Sequence, residues 1–532
     1  MTQGTVVEAL VIALKARGVK RMFGIPGGGS SLDVIEAGAA AGIEFVLSRT
    51  ETAGAFMACA TAEITGAPGV LLTGVGPGMA SAVNGMAYAY LDRVPLILVT
   101  DAADEAQAYV THQIIDQPAI TAPITKGRRS LKAGDGQREI GALLDTALAE
   151  PRGPIHIDLS SAQARKAAGA ASPETVAASV AVWNESDLAA ARALLAEARR
   201  PAIVAGVQAT RSADALRGLA EALACPVLTT YKAKGCMADS HPLQVGHYTG
   251  GEAEASCLRE ADLILLFGFD PVEAIPQPWR YEAPILEIGA AASLPHYRTP
   301  DISLIGDING AAAALRCANR PSDWTTAEIE GHRAAMRTAL RAPAKTGIPS
   351  WHLVESLAKA ARPGTRATVD AGAHMFSAMG FWAAEEASGT LISDGLSTMS
   401  YALPASIASS LAEPDRPALC MTGDGGLMMV IAELATAAER NLDILVAVFN
   451  DAALSLIDIK QAALGMESRG VRYPGPDFAK VAEGFGCRAW RVEDPTALDG
   501  TIAKAMAMTG PRLLDVRIDP SIYPAQIKAL RG

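Results

Sequence analysis

Two aspartates stand at the predicted carboxyl ends of neighbouring buried strands. Asp424 follows an apolar run at 418–421 and belongs to a Gly-Asp-Gly-Gly turn at 423–426. Asp451 follows a second apolar run at 444–449. Parallel strands end at one edge of a sheet, where open α/β sheets bind ligands, and paired carboxylates there suit Mg²⁺ with phosphate oxygens. We therefore predict a magnesium and phosphate site, although a helix-capping turn would explain the Gly-Asp-Gly tripeptide taken alone.

Glu51 is the candidate proton donor in the first part of the chain. It follows a strand predicted at 43–47 and precedes an apolar helix predicted at 53–63. Small apolar neighbours remove water from a carboxyl group, which favours its protonated form and suits it to donate a proton near neutral pH. The simpler interpretation is an ordinary acidic residue at a helix N-terminus, where negative charge is stabilising.

Glycine-rich turns follow two other predicted strands of this part, at 24–30 and 74–78. The second turn matches a dinucleotide-binding fingerprint only weakly, because Met79 stands where the third glycine belongs and Pro77 stiffens the turn. Asp101 ends the next predicted strand, where an acidic residue can bind a ribose. A nicotinamide-dependent oxidoreductase is therefore kept as an alternative from another class of enzyme.

Short apolar runs alternate with amphipathic helical stretches along all 532 residues. The clearest runs lie at 94–99, 202–205, 263–267 and 444–449. They predict strands covered on both faces, and the alternation predicts an α/β fold with three doubly wound parallel-sheet domains. Linkers predicted at 166–174 and 319–349 give domains at 1–167, 180–330 and 348–532.

The composition excludes several classes of protein. The chain has 46 basic and 57 acidic side chains and a formal net charge of −11, which disfavours nucleic-acid binding. No apolar run reaches the ~18 residues that span a bilayer, and no signal peptide is recognisable, so we expect a cytoplasmic protein without a membrane partner. The seven cysteines form no C-x-x-C pair, so neither a disulfide framework nor a zinc site is predicted.

A series of motifs along the chain occurs in the same order in one family of enzymes. The motifs are Phe23-Gly24-Ile25-Pro26-Gly27-Gly28, Glu51, Gly76-Pro77-Gly78, Asn84-Gly85, Cys225-Pro226-Val227, His241-Pro242-Leu243, 396–405, Gly423-Asp424-Gly425 and Asn450-Asp451. Through them the chain resembles, over essentially its whole length, the thiamine diphosphate (ThDP) enzymes of the acetolactate synthase, pyruvate oxidase and benzoylformate decarboxylase group. The resemblance implies pyrimidine-binding, central and diphosphate-binding domains in that order. It also implies ThDP and Mg²⁺, and a homodimer or homotetramer with active sites at the subunit interface.

The resemblance implies a role for each matching residue. Glu51 corresponds to the family glutamate that protonates the aminopyrimidine ring, and Met399 to the bulky residue that keeps the cofactor bent. Asp424, Asp451 and the carbonyl of Ala453 correspond to the metal ligands, with Asp451 standing where the family usually has asparagine. The cofactor-binding residues would be Gly27, Gly28, Glu51, His374, Ser397, Met399, Gly425, Gly426 and Asp451.

The substrate-facing positions depart from the acetolactate synthase pattern. They are Gly28, Val75, His112, Gln113 and Lys460. His112 and Gln113 are further catalytic candidates, with His112 acting either as a proton relay or only as a loop cap. Lys460 replaces a tryptophan that shapes the synthase acceptor pocket, and would hold an anionic group or point to solvent. Lys126 matches a synthase lysine near the pocket mouth.

The predicted function is ThDP- and Mg²⁺-dependent decarboxylation of a small 2-oxo acid, carboligation, or both, as in acetolactate synthase-like enzymes. A ThDP-dependent lyase that cleaves a 2-hydroxyacyl thioester or an acyloin is an alternative within the family. The presence of Glu51 and Asp424 argues against a non-catalytic regulatory paralogue. The stretch at 268–273 lacks the arginine-bearing FAD signature of acetolactate synthases, so FAD is not expected.

Overall fold

The computed structural model describes residues 4–107, 109, 111–169, 183–274, 278–292, 298–316 and 321–531. These residues divide into two units. The first contains the described residues up to 169 together with 403–414 and 430–440, and the second contains the other described residues.

The described part of the first unit contains a six-stranded parallel sheet. Its strands are β1 (Arg21–Ile25), β2 (Glu44–Leu47), β3 (Gly69–Thr73), β4 (Leu96–Ala102), β5 (Gly127–Ser130) and β6 (Ile155–Ser160), in the order β2-β1-β3-β4-β6-β5. The helices are α1 (Val6–Ala16), α2 (Ser30–Ala41), α3 (Glu51–Thr65), α4 (Pro77–Leu91), α5 (Gln117–Thr121), α6 (Gln137–Leu148) and α7 (Ser161–Ala164). All five residues of β3 are buried, as expected for a parallel strand covered on both faces.

The second unit contains two further six-stranded parallel sheets within its described residues. The strands of the first are β7 (Pro201–Ala205), β8 (Val227–Thr229), β9 (Gln244–His247), β10 (Leu263–Phe267), β11 (Ile285–Gly289) and β12 (Ile302–Ile305), in the order β12-β11-β10-β7-β8-β9. The helices around it are α8 (Glu185–Glu197), α9 (Ala213–Leu223), α10 (Ala255–Arg259), α11 (Ile308–Arg316) and α12 (Thr326–Leu340). The strand order reverses between β10 and β7, which is where open α/β sheets place ligand sites.

The last sheet is the one that carries the paired aspartates. Its strands are β13 (Arg366–Val369), β14 (Thr390–Ile392), β15 (Ala418–Gly423), β16 (Ile444–Asn450), β17 (Arg488–Val492) and β18 (Arg512–Arg517), in the order β14-β13-β15-β16-β18-β17. The helices in this stretch of the chain are α13 (Ser350–Ala360), α14 (His374–Phe381), α15 (Ala402–Ala412), α16 (Asp424–Val430), α17 (Glu433–Glu439), α18 (Ser455–Ala463), α19 (Phe478–Gly484), α20 (Leu498–Met506) and α21 (Tyr523–Arg531). Of these, α17 and nearly all of α15 belong to the first unit. β15 and β16 are neighbours, so the chain segments that follow them emerge at the same edge.

Short 3₁₀ helices complete the regular structure. They span Glu105–Gln107, Ala122–Ile124, Val207–Arg211, Pro271–Glu273, Pro495–Ala497 and Pro520–Ile522. Each sheet has an apolar core: one in the first unit includes Leu10, Val70 and Ile97, and the second unit has one around β7–β12 and one around β13–β18. Within the described residues, no helix is long and apolar enough to cross a bilayer.

The predicted α/β class with three parallel sheets is confirmed. The four apolar runs singled out in the sequence fall in β4, β7, β10 and β16. The domain limits at 1–167, 180–330 and 348–532 remain predictions, and parts of both predicted linkers, at 170–182 and 317–320, lie outside the described residues.

Candidate functional site

A cavity of about 310 Å³ lies at the carboxyl ends of β13, β15 and β16 in the second unit. The residues predicted from the sequence that line it are His374, Ser397, Met399, Asp424, Gly425, Gly426, Asp451, Ala453 and Lys460. These residues come from five separate stretches of the chain. Tertiary structure therefore brings together, in one cavity, all the candidates that the sequence placed in the last domain.

The carboxylate of Asp424 accepts hydrogen bonds from three donors. Its side chain is 2% exposed. Oδ1 accepts hydrogen bonds from the amide of Gly425 at 2.7 Å and from the hydroxyl of Tyr473 at 2.9 Å, and Oδ2 accepts one from the amide of Ala452 at 2.6 Å. Burial raises the pKa of Asp424, while the hydrogen bond from Tyr473 acts in the opposite direction.

Asp451 lines the same cavity and accepts a hydrogen bond of 2.6 Å from the hydroxyl of Ser455. Burial raises the pKa of Asp451 to about 7, and the negative charge of Asp424 acts in the same direction. A divalent cation would relieve this repulsion, so the two carboxylates fit a hard metal such as Mg²⁺. No group of three or more His, Cys, Asp and Glu side chains that could hold a metal occurs among the described residues, so further ligands would come from the backbone, a phosphate or water.

His374 offers an unpartnered nitrogen in this cavity. The residue is buried, and within the described structure its Nε2 atom has no hydrogen-bond partner. The ring stacks on Phe449 with centroids 5.1 Å apart, and a Cβ at Gly423 would lie 3.3 Å from it. Burial lowers the pKa of His374 to about 4, so the free imidazole is neutral. A bound anion would favour the protonated ring, in which both nitrogens donate, and this fits a diphosphate group.

The loop that carries Met399 has a strained backbone. Ser397 and Ser400 have φ angles of +53° and +72°, which are unfavourable for residues other than glycine and tend to occur at functional sites. Asp370 stabilises this conformation, because its Oδ1 accepts a hydrogen bond of 2.8 Å from the amide of Ala402 and its Oδ2 accepts one of 2.6 Å from the hydroxyl of Thr422. Burial raises the pKa of Asp370 to about 6, and these hydrogen bonds act against that shift.

Asp370 and Tyr473 were not identified from the sequence. Tyr473 reaches Asp424 because residues 471–473 pair with 452–454: the amide of Leu454 donates to the carbonyl of Val471 at 2.8 Å, and the amide of Tyr473 donates to the carbonyl of Ala452 at 3.2 Å. No local motif marks this pairing. For Asp370, the available signal was its position directly after the short stretch 367–369, which forms the end of the buried strand β13.

Glu51 begins α3 in the first unit and is half-buried. Its Oε1 would lie 3.3 Å from a Cβ at Gly78, so this glycine leaves room for the carboxyl group. The turn before Glu51 is supported by the buried Glu433, whose carboxylate accepts a hydrogen bond of 2.7 Å from the amide of Arg49. Glu433 lies in α17, more than 380 positions along the chain from Arg49, and sequence analysis did not connect the two.

Asp101 stabilises the glycine-rich turn at 24–30. It accepts hydrogen bonds from the amide of Gly29 at 3.1 Å, the hydroxyl of Ser30 at 2.9 Å, and the amide and hydroxyl of Ser31 at 2.6 Å each. A Cβ at Gly27 would lie 2.1 Å from this carboxylate, whereas a Cβ at Gly28 would meet nothing within 4 Å. The carboxylate that could have bound a ribose is therefore engaged in the turn itself.

The segment with His112 and Gln113 lies against the turn at 74–78. Gly76 has a φ angle of +66°, and a Cβ there would lie 2.2 Å from the carbonyl oxygen of Gln113. Val75 is half-buried, while His112 and Gln113 are exposed within the first unit. The structure thus brings three of the predicted substrate-facing residues into one region of this unit.

The side chain of Lys126 forms a hydrogen bond within the first unit. Its ammonium group donates a hydrogen bond to the carbonyl of Ala149. Burial lowers the pKa of Lys126 to about 8, with an opposing effect from the nearby Glu150.

Three family models match the chain in succession. They are the thiamine pyrophosphate enzyme N-terminal TPP binding domain at residues 4–120, the central domain at 188–315 and the C-terminal TPP binding domain at 370–516. The chain belongs to the thiamine pyrophosphate enzyme family. Thiamine pyrophosphate is the same compound as ThDP, so this membership makes ThDP the cofactor of the enzyme and confirms the resemblance seen in the sequence.

Several relatives resemble this ThDP enzyme over nearly its full length. It is 27% identical to an acetolactate synthase of Bacillus subtilis, with 97% of this chain and 93% of the relative covered. It is 29% identical to the acetolactate synthase isozyme 1 large subunit of Escherichia coli, with 98% and 95% covered. It is also 28% identical to a probable 2-ketoarginine decarboxylase of Pseudomonas aeruginosa, with 96% and 94% covered.

Proposed function

We propose that the enzyme uses ThDP and Mg²⁺ to decarboxylate a 2-oxo acid, and that it releases the product or joins it to an acceptor. The observation that carries the proposal is the cavity of the second unit, which collects two carboxylates, an unpartnered buried imidazole and the glycines of the 423–426 turn. Relatives named as acetolactate synthases and as a probable 2-ketoarginine decarboxylase support the reaction class.

The roles proposed for individual residues follow from their surroundings. Asp424 and Asp451, with the carbonyl of Ala453, hold the metal ion. His374, together with the backbone of Gly425 and Gly426, binds the diphosphate. ThDP supplies the nucleophilic carbon and the electron sink that the reaction needs.

The remaining cofactor contacts belong to the loop that carries Met399 and to the first unit. Ser397 binds the aminopyrimidine ring through its backbone, and Met399 packs beneath the cofactor. Glu51 holds a proton for the same ring, with Gly27 and Gly28 beside it. We keep the prediction that two copies form each active site, in a cytoplasmic homodimer or homotetramer.

The residues proposed to face the substrate are the five that the sequence singled out for that role. Gly28, Val75, His112 and Gln113 come from the first unit, and Lys460 comes from the second. His112 would exchange protons with the substrate through its imidazole, and Gln113 would hydrogen-bond to the substrate through its amide, because both side chains are exposed within the first unit.

We also keep the prediction that the central domain does not bind FAD. Glu273 lies where the strand order reverses between β10 and β7, and its carboxylate accepts hydrogen bonds from the amide of Val207 at 2.8 Å, the amide of Asp270 at 3.2 Å and the hydroxyl of Thr230 at 2.6 Å. A nucleotide phosphate at this position would need hydrogen bonds from the backbone amides, and the side chain of Glu273 already accepts them. This arrangement supports the prediction.

The test is proton NMR of the protein loaded with ThDP and Mg²⁺ and incubated with pyruvate. Acetolactate would identify a synthase that tolerates Lys460, and acetaldehyde or acetoin would identify a decarboxylase-type carboligase. Unchanged pyruvate directs the search to larger 2-oxo acids, followed by acyloins and 2-hydroxyacyl thioesters. Failure of the purified protein to bind ThDP in the presence of Mg²⁺, measured by calorimetry, would overturn the proposal.

A further inference from the structure

Lys460 introduces a positive charge into a largely apolar part of the cavity. It lies on α18 and lines the cavity together with Leu456 and Ile457. The residue is exposed, and its ammonium group forms no hydrogen bond or ion pair with any described residue. The charge is therefore available to a ligand.

The acidic residues near Lys460 in the sequence have other partners. Asp458 pairs with Arg472, and Glu467 pairs with Arg469 at 2.6 Å. Asp451 accepts the hydrogen bond from Ser455 and faces the proposed metal. These acidic groups therefore leave the charge of Lys460 available to an anionic ligand.

The position of Lys460 separates it from the metal end of the cavity. Ser455, which bonds Asp451, begins α18, and Lys460 is five residues further on, which corresponds to about 7.5 Å along a helix. The unpartnered nitrogen of His374 and the glycine turn already provide for the diphosphate. Lys460 is better placed to meet a part of the substrate.

The reacting carboxylate of a 2-oxo acid is a poor partner for this lysine. That carboxylate leaves as CO₂, and a cation bound to it would stabilise the ground state more than the transition state and so slow the reaction. A cation that holds an anionic group retained by the substrate binds the ground state and the transition state alike, and so raises kcat/KM without this penalty.

We propose that the substrate is a 2-oxo acid with a second anionic group, such as a carboxylate, sulfonate or phosphonate, and that Lys460 binds this group. The inference rests on the proposed function and deepens it by naming the substrate class. It also separates this enzyme from the 2-ketoarginine decarboxylase relative, because the guanidinium group of 2-ketoarginine would be repelled by Lys460.

The experiment compares 2-oxo acids with and without a second anionic group. 2-Oxoglutarate is paired with 2-oxopentanoate and 3-phosphonopyruvate with 2-oxobutanoate, each monoanion carrying a methyl group in place of the second anionic group. For each compound, kcat/KM is measured by product formation, and the dissociation constant is measured by calorimetry on protein loaded with ThDP and Mg²⁺. We expect the wild-type protein to favour the member with the second anionic group, in at least one pair, by about tenfold, as a close charge pair in a partly solvated site provides.

Lys460→Gln is the diagnostic variant, and Lys504→Gln, an exposed lysine on α20 outside the cavity lining, is the matched control. Lys460→Gln should bring the charge preference close to unity, and Lys504→Gln should retain it. Equal kcat/KM values and equal dissociation constants within both pairs for the wild-type protein would overturn the inference.

Measurements of ThDP binding separate a failure of the Lys460 inference from a failure of the proposed function. Loss of ThDP affinity in Lys460→Gln would assign the lysine to the diphosphate and overturn the inference while leaving the proposed function intact. Absence of ThDP binding in the wild-type protein would overturn the proposed function, and with it the inference. Binding of ThDP without any charge preference would overturn the inference alone.

Discussion

The hydroxyl of Tyr473 donates a hydrogen bond of 2.9 Å to Oδ1 of Asp424. Asp424 is the carboxylate proposed to bind Mg²⁺, and it is almost fully buried. Tyr473 therefore stabilises a buried negative charge when no cation is bound. Because the residue lies on a segment paired with 452–454, it also connects the metal site with the loop that follows β16.

The substitution Tyr473→Phe should lower the free energy of unfolding of the metal-free protein by about 1.5–3 kcal/mol, as expected for a hydrogen bond to a charged group. The loss should become smaller in the presence of ThDP and Mg²⁺, because the cation then stabilises Asp424. Urea unfolding with and without the cofactors measures both values. Tyr109→Phe, at a tyrosine that is 83% exposed, is the control, and an identical loss in both conditions would contradict this role of Tyr473.

The substitution Asp424→Asn should weaken retention of the metal and of ThDP by roughly ten- to a hundredfold, the scale seen when a metal site loses part of its ligand support. The ThDP content after gel filtration, compared with that of the wild-type protein, measures this effect. Asp415→Asn, at an exposed aspartate, should retain the wild-type content. Unchanged retention in Asp424→Asn would exclude Asp424 as a metal ligand.

The substitution Glu51→Gln should leave ThDP binding largely intact and lower kcat by roughly 10²- to 10⁴-fold, the usual contribution of a positioned acid or base. Glutamine preserves the size of the side chain but cannot exchange a proton with the aminopyrimidine ring. Steady-state kinetics and calorimetry separate the two effects, with Glu36→Gln, at an exposed glutamate, as the control. Full activity in Glu51→Gln would remove Glu51 from the proposed mechanism.

Adjacent glycines in the first unit should respond differently to the same change. Gly27→Ala places a methyl group against the Asp101 carboxylate, and we expect it to destabilise the protein by about 1–3 kcal/mol, as overpacking does. A methyl group at Gly28 would meet no atom within 4 Å, so Gly28→Ala should leave the free energy of unfolding unchanged. Thermal unfolding of the two variants measures the contrast, and equal melting temperatures would show that the turn adapts to a side chain at Gly27.

The contribution of the buried His374 to the stability of the cofactor-free protein should fall as the pH decreases, whereas the buried Asp451 and Asp370, whose pKa values are raised to about 7 and about 6, contribute in the opposite direction. Burial lowers the pKa of His374 to about 4, whereas an unfolded histidine titrates near ~6.5. Between these values the unfolded chain binds a proton that the folded protein does not. The stabilising effect of the neutral ring is therefore complete above about pH 6.5 and is lost progressively below it, by up to about 3 kcal/mol.

The substitution His374→Gln should reduce the slope of unfolding free energy against pH in this range. Urea unfolding over a pH series gives the slope, and His112→Gln, at an exposed histidine, is the control that should keep the wild-type slope. A slope in His374→Gln as steep as that of the wild-type protein would assign the pH dependence to other groups.

Local patterns in the sequence were enough to predict the fold class and the polar residues at the strand ends. Apolar runs identified β10 and β16, because a strand covered on both faces needs apolar residues at every position. The glycine turn and Asp451 could be placed at one edge, because parallel strands share a direction. The family motifs in turn identified the cofactor, which the family models confirm.

Only the tertiary structure decided which groups hold these residues in place. Tyr473 reaches Asp424, Glu433 supports the turn before Glu51, and Asp101 closes the glycine turn at 24–30. Each contact joins residues that are distant in the chain, and a side-chain hydrogen bond requires both partners to be positioned within a fraction of an ångström. That precision comes from the packing of whole strands and helices against one another, and spacing along the sequence does not encode it in any local pattern.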